Sequence, residues 1–520
     1  MNRWSLSIVI SAIILSVAVL VSFSPCLKAE FLNWDDDVNI LENPTVRSLE
    51  PANIKRIFTE SVQKIYIPLT TLSYAVEYKF VGYKPFLFHF DNLILHWLNT
   101  LLVLVIALRM GMAAAPALIA ALLFGVHPMK VESVAWVTER KDVLYAFFYL
   151  IAVWNYCIYR QKGSKTHYAW AVLAGLLSVL SKPMALSLPL ILCLLDWFER
   201  RSWSRRSWMD KIPFVLSIVP IVWITYAQHV RNPIGDAGQA VLIWVWSFVF
   251  YIWKFLAPLV LIPLYRLPQP VSLTNAPFLA SALIFLVIAV SVAILRRNRW
   301  WLFAVGFYFL SIFFLLRFDV GVDLNVVADR FMYLPCLGFC LAIGYGVGQI
   351  VQSQFGNAAW RTKIYGLTAL VLLSLMAKTW MQTQIWKEPM TIWNYVVAKD
   401  PQSHVGYNNR GNIYNEGDRL NEAITDYNKA LELSPQFARA LNNRGIIYAK
   451  AGREQEAMQD FNKAIEFKPD FEKAYYNRAV IEERLGQYQE AFFDARKAKA
   501  LGAPVPDDIF RRMEKRAIQP

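Results

Sequence analysis

Three consecutive carboxylates, Asp35, Asp36 and Asp37, follow Asn33 and Trp34 just after the first apolar run of the chain ends. Like charges packed together raise each other's pKa unless something neutralises them. The triplet therefore implies a proton, a metal ion or a basic partner. Two readings follow: a catalytic carboxylate pair at a membrane surface, or a solvated acidic loop. The choice rests on what else reaches the same place.

Composition says what must position these groups. The chain has 520 residues, is 56% hydrophobic and carries 19 Trp. Apolar runs near the ~20 residues needed to cross a bilayer recur along it, which predicts a polytopic membrane protein. The net charge of +14 fits basic cytoplasmic loops better than nucleic acid binding. Cys26, Cys157, Cys193, Cys336 and Cys340 show neither a CxxC pair nor zinc spacing, so no disulfide framework or zinc site is indicated.

Residues 4–23 read as an uncleaved first span with a cytoplasmic N-terminus. A long external loop, 24–85, follows, with two surface helices near 51–60 and 66–80. Further spans are expected at about 87–108, 113–127, 143–159, 168–181, 183–198, 212–228, 241–262, 276–295, 300–316, 331–350 and 364–381. The run Arg200-Arg201-Ser202-Trp203-Ser204-Arg205-Arg206 and the group Arg296, Arg297, Arg299 mark cytoplasmic loops. Three apolar segments lie between them where only two crossings fit. The segment near 241–262, with Lys254, Pro258 and Pro263, is expected to re-enter or lie in the interface. Eleven crossings result, with twelve as the alternative. Eleven put the C-terminal domain outside.

Polar residues inside apolar runs are costly and usually functional. His89, Asn92, His96 and Asn99 fall on one helical face; packing or a site explains them equally, and His89 is the better site candidate. His127-Pro128, Glu132, Arg140-Lys141-Asp142, Ser181-Lys182-Pro183, His229 with Arg231, Arg317-Phe318-Asp319 and Asp329-Arg330 all fall in loops assigned to the outer face. Positive-inside counting does not explain basic groups there. They call for an anionic partner such as a lipid phosphate, which Arg grips bidentately.

The C-terminal 386–520 repeats with a period of 34 over roughly 404–503. Asn409-Arg410-Gly411 recurs as Asn443-Arg444-Gly445 and Asn477-Arg478-Ala479; Tyr427 matches Phe461; Pro401, Pro435 and Pro469 end the units. About three tetratricopeptide-like repeats follow, the third lacking its aromatics, then a capping helix at 505–517. Stacked helix pairs leave a concave groove. Asn409, Asn443 and Asn477 either hold an extended peptide there or bond neighbouring helices.

The acidic stretch, His127-Pro128, Glu132-Ser133-Val134-Ala135-Trp136, Arg140-Lys141-Asp142, Ser181-Lys182-Pro183 and Ala328–Pro335, joined to these repeats, resembles bacterial relatives of the transmembrane and tetratricopeptide-repeat O-mannosyltransferases. The resemblance implies an all-α GT-C bundle over 1–385 followed by the repeat domain. It implies transfer of a hexose such as mannose from a polyprenyl-phosphate carrier to a hydroxyl, on protein in animal members, at the periplasmic face of the inner membrane. Asp35 or Asp36 is then the expected base. Arg330, Arg140 and Lys182 would hold the phosphate, and His89, His127 and Glu132 would orient sugar or acceptor. A divalent Mg or Mn ion bridging Asp35 and the phosphate is compatible with the same residues. Two other classes compete. A non-enzymatic repeat scaffold leaves the acids and bases on one side of the bundle unexplained. A transporter expects its ionisable groups near mid-bilayer.

Overall fold

The computed structural model describes residues 3–62, 65–228, 237–316, 325–353 and 358–518; His229, Arg231 and Arg317-Phe318-Asp319 lie outside them. Among the described residues, apart from a short antiparallel pairing of Tyr265–Arg266 with Asn325–Val327 and an isolated bridge between Val62 and Ile65, the regular structure is helical. The chain divides into two compact units, Met1–Glu388 and Pro389–Pro520.

In the first unit, six helices among the described residues are long and apolar enough to cross a membrane: Leu6–Lys28, Pro85–Arg109, Val137–Lys162, Ala237–Leu256, Ala276–Ile294 and Ala358–Ile385. A seventh comes from Ala114–Val126 and Pro128–Ala135, bent by 50° at His127. Pro128 explains the bend: it has no N–H to donate and forces its predecessor out of the helical region. These are fewer than the eleven or twelve apolar runs suggested. The remaining runs form shorter helices such as Lys165–Ser181 and Ile212–Gln228. At 1.5 Å per residue, a helix of this length reaches only ~25 Å, short of a ~30 Å hydrocarbon core.

The segment near 241–262 is not broken at its prolines, as a re-entrant hairpin would be. It is a continuous helix, Ala237–Leu256. Pro258 and Pro263 fall after its end, so neither breaks it. Lys254 sits in its last turn, where Nζ donates to the Val260 carbonyl (2.5 Å).

Two α-helices lie in the segment 24–85. Helices Pro51–Thr59 and Pro68–Val81 each begin on a proline, the helix position where the missing N–H costs nothing. Gly82, at φ 63°, ends the second. Ile57 and Tyr74 are buried, whereas Lys55 and Arg56 face outward.

In the second unit the 34-residue period becomes a stack of helix pairs: His404–Glu416 with Leu420–Leu433, Ala438–Lys450 with Glu454–Phe467, and Glu472–Arg484 with Tyr488–Ala500. Each first helix is fastened to its second by a bidentate ion pair: Arg410–Asp426 (2.7 and 2.8 Å), Arg444–Asp460 (2.8 and 2.7 Å) and Arg478–Asp494 (2.5 and 3.0 Å). The same arginines reach back to Asn394, Asn428 and Asn462. Helix Pro389–Lys399, which bears Asn394, therefore continues the array one helix towards the N-terminus. Periodicity missed it because Trp393 stands where the next units have Tyr427 and Phe461.

Glycine is needed where helices touch. A Cβ on Gly411 would lie 2.7 Å from the Tyr427 ring, and one on Gly445 equally close to Phe461. The third pair has Ala479 against Ala495, and the missing bulk comes from Met513 on the capping helix Asp507–Ile518, fully buried against both. Truncating Met513 to Ala is expected to cost about 2–5 kcal/mol, and Met513→Leu under about 1.5 kcal/mol. Thermal unfolding of the purified chain checks the order.

Candidate active site

The segment 122–146 is buried throughout although it carries nine polar or charged side chains, in turns, short helices and the start of helix Arg140–Lys162. Buried polar groups must find partners, and here they find one another. Arg330 ion-pairs with Glu132 through its guanidinium, and its backbone N–H donates to the same carboxylate (2.9 Å). Its Nε lies 3.5 Å from Glu139, which also pairs with Lys141 (3.0 Å) and Lys182 (3.4 Å). Lys182 lies 2.5 Å from Asp142, whose other oxygen accepts from Ser133 Oγ (3.0 Å). Beside this cluster, Arg140 pairs with Glu77, donates to Asn92 Oδ1 (2.9 Å) and to the Phe88 carbonyl (2.8 Å), and faces the Tyr74 ring at 4.7 Å.

The acidic triplet is brought to the cluster by two contacts. Asp36 accepts from the Leu32 N–H (2.9 Å), the Thr138 N–H (2.9 Å) and the Thr138 hydroxyl (2.6 Å). Trp34 stacks on Trp136 with ring centroids 4.4 Å apart, and the Arg330 guanidinium lies 5.7 Å from the Trp136 ring. One face of the site therefore runs from the first loop through two indoles to Arg330.

Asp36 is fully buried and its carboxylate is spent on three donors, so it ties two loops together and is a poor base. Asp35 beside it is half-buried, and among the described residues no hydrogen bond or ion pair reaches its carboxylate. Of the three expected phosphate holders, the Arg140 side chain is 1% exposed and Lys182 7%, both already paired; Arg330, at 22%, is the one a ligand can reach. His127 is locked at the bend, with Nε2 2.9 Å from the Phe255 carbonyl, Nδ1 accepting from Met129 N–H (3.3 Å), and its ring stacked on Phe255. His89 is buried, with Nε2 3.4 Å from the Glu30 carbonyl. His96 spends both ring nitrogens on Tyr333 and Gly125 (2.8 Å each). His96 and His127 thus spend both ring nitrogens on the bundle, whereas the buried His89 Nδ1 has no hydrogen-bond partner among the described residues. Glu132 serves Arg330.

In the second unit, the asparagine column bonds along the stack. Asn443 donates to Asn408 (3.1 Å) and Asn412 (2.9 Å), Asn477 to Asn442 (2.8 Å), and Asn409 accepts from Asn408 (3.0 Å). Asn443 and Asn477 thus bond to the preceding repeat, whereas the Asn409 bond stays within its own helix.

Reading residue types missed Thr138, Glu77 and Trp34 as parts of the site. Trp34 carried a signal, its place next to Asp35. Thr138 carried none, because its role exists only once residues 36 and 138 meet.

Burial pushes Asp36 up to about 6 despite its hydrogen bonds, and Glu77 to about 7 despite Arg140. For Arg330 burial works the other way, yet Glu132 and Glu139 outweigh it and hold the guanidinium above its ordinary range. The raised carboxyls set a sign. A fold that favours the neutral acid is most stabilised below the ordinary value of 3.8 for Asp36, and loses that contribution as pH rises through about 6. The thermal midpoint should fall over that window, and Asp36→Asn should flatten the fall.

Among the described residues no group of three or more His, Cys, Asp or Glu is placed to hold a metal ion. With Asp36 occupied, Asp35 offers a single carboxylate, the protein contribution that a Mg or Mn ion bridging to a substrate phosphate would require. A cleft of about 520 Å³ opens beside the cluster, walled by Leu69, Leu72, Val76, Phe80 and Phe148, with Glu77 and Asp91 as its polar side.

Comparison with known proteins agrees with this layout. Tetratricopeptide-repeat family models match residues 411–452, 438–471 and 461–493. The chain is 26% identical over 451 residues to a protein O-mannosyl-transferase of Caenorhabditis elegans, covering 79% of this chain and 61% of that protein. It is 25% identical to the protein O-mannosyl-transferase Tmtc3 of Drosophila melanogaster (70% and 48% covered) and 25% identical to human TMTC1 (80% and 54%). The chain thus spans about half the length of these curated relatives. Among solved structures, an Arabidopsis OM64 tetratricopeptide-repeat domain is similar at 28% identity and a TM-score of 0.21, covering 22% of this chain and 96% of that one. Over 70–80% of its length the chain is thus similar to protein O-mannosyl-transferases, and its C-terminal unit carries tetratricopeptide repeats.

Proposed function

We propose that the chain is a membrane glycosyltransferase that moves a hexose such as mannose from a polyprenyl-phosphate carrier to a hydroxyl on protein. The observation that carries this reading is the Trp34–Trp136 stack, which joins the loop of a half-buried carboxylate, Asp35, to the accessible guanidinium of Arg330. In the reaction, the acceptor hydroxyl gives its proton to Asp35 as its oxygen attacks the anomeric carbon. The bond from that carbon to phosphate oxygen breaks, and the departing phosphate keeps the electron pair, stabilised by Arg330. A single displacement inverts the sugar. Trp136 is buried beneath Trp34, so the half-buried Trp34 is the indole that offers a flat apolar face to a sugar ring. The apolar cleft beside Glu77 suits an isoprenoid tail.

The test is incubation of the purified full-length chain with polyprenyl-phosphate mannose and protein acceptors, followed by detection of transferred sugar. A scaffold that only recruits partners through its repeats would transfer none. For location, the reading keeps the bacterial inner membrane with the repeats periplasmic. A periplasmic alkaline phosphatase fused after residue 520 should be active; a silent fusion would put the repeats in the cytoplasm. Peptide acceptors are assigned to the groove of the repeat unit. Ala substitution of Asn409, Asn443 and Asn477 should weaken acceptor capture only if these amides also touch it.

A further inference from the structure

A second concentration of charge lies far along the chain from the acidic loop, at residues 196–211 and 295–299. Asp196 is buried and accepts from Tyr156 (3.0 Å) and from the cations Arg160, Lys211 and Arg201, the last at 3.5 Å. Arg160 also faces Glu199 (3.6 Å), and Arg201 pairs with Asp210 (2.8 Å). Three cations thus use up the three carboxylates of this region. Arg200, Arg205, Arg206, Arg296 and Arg297 are left over; all are exposed, and no ion pair reaches any of them among the described residues.

The two loops that carry them are tied together. Arg299 donates through Nε to the Phe198 carbonyl (3.1 Å) and also to that of Trp197. Phe198 packs edge-on to Trp300 at 4.7 Å. Arg200 lies close enough to Arg299 for their charges to interact. Beside the arginines, Trp203 and Trp208 lie ring to ring at 5.0 Å and are 48% and 58% exposed.

Five unpaired guanidiniums on two joined loops repel one another, and a counter-anion removes that cost. Guanidinium binds phosphate bidentately. Exposed indoles point to a particular source of that anion, since Trp settles at the boundary between headgroups and acyl chains. A free phosphate has no use for them. We propose that this surface binds the headgroup of an anionic phospholipid, gripped by both loops and flanked by Trp203 and Trp208. The site is independent of sugar transfer.

The experiment is native mass spectrometry of the full-length chain titrated in detergent with phosphatidylglycerol, phosphatidylcholine or inorganic phosphate. The wild type should hold phosphatidylglycerol in preference to phosphatidylcholine, and less well as salt rises. At about fivefold per arginine, Arg200→Gln/Arg205→Gln/Arg206→Gln should weaken phosphatidylglycerol binding on the order of 100-fold, and Arg296→Gln/Arg297→Gln on the order of 30-fold. All five positions are exposed, so both variants should fold; unchanged circular dichroism checks this. Equal retention of the two lipids, no loss in either variant, or equal occupancy by inorganic phosphate would each overturn the proposal.

Discussion

Asp35→Asn is expected to lower sugar transfer by about 10²–10⁴-fold, the usual contribution of a positioned general base. The folded yield should stay at wild type, because no described partner holds this carboxylate. Asp36→Asn should do the opposite. Its amide presents N–H hydrogens where the carboxylate now accepts from Leu32 or Thr138. The unsatisfied donor costs about 1–3 kcal/mol, which appears as a lower thermal midpoint and less folded protein. Activity per folded molecule should survive. Two adjacent aspartates thus separate into a chemical and a structural role by one pair of measurements, transfer rate and unfolding midpoint. Wild-type rates from Asp35→Asn would remove the base from the mechanism.

Arg330→Met should lose both stability and activity, and a second substitution should return only one of them. Alone it strands Glu132, a buried carboxylate that accepts twice from residue 330. Breaking a buried pair from one side costs about 3–5 kcal/mol. In Arg330→Met/Glu132→Leu no charge is stranded, and the midpoint should recover most of that loss. Sugar transfer should not recover, because the cation assigned to the leaving phosphate is still missing. Recovery of both together would make Arg330 a purely structural partner of Glu132. A lasting loss of both, with the double variant unfolded, would mean that Glu139 and Lys182 depend on Arg330 for their own arrangement.

Much of this was legible in residue order. Apolar runs of bilayer length, the 34-residue period with Gly411 and Gly445 opposite Tyr427 and Phe461, the two helices of the first loop and the grouping of acids with bases all follow from local spacing. Local spacing carries that information because a helix face and a repeat interface are set by neighbours three, four or thirty-four residues away.

What spacing could not decide was which of the grouped residues are spent on each other. Arg140, Lys182 and His127 have the right chemistry for a ligand, but Glu77, Asp142 and the Phe255 carbonyl already occupy them. Asp36 and Asp35 are alike in sequence; only the arrival of Thr138, 102 positions later, consumes one and leaves the other. The segment at 241–262 likewise looked broken by its prolines until the helix was seen to end before them. In a site where water is excluded, each charge must be matched by whichever group the fold delivers. That matching joins residues 36 to 138 and 132 to 330, distances at which the chain's order is silent and only its packing speaks.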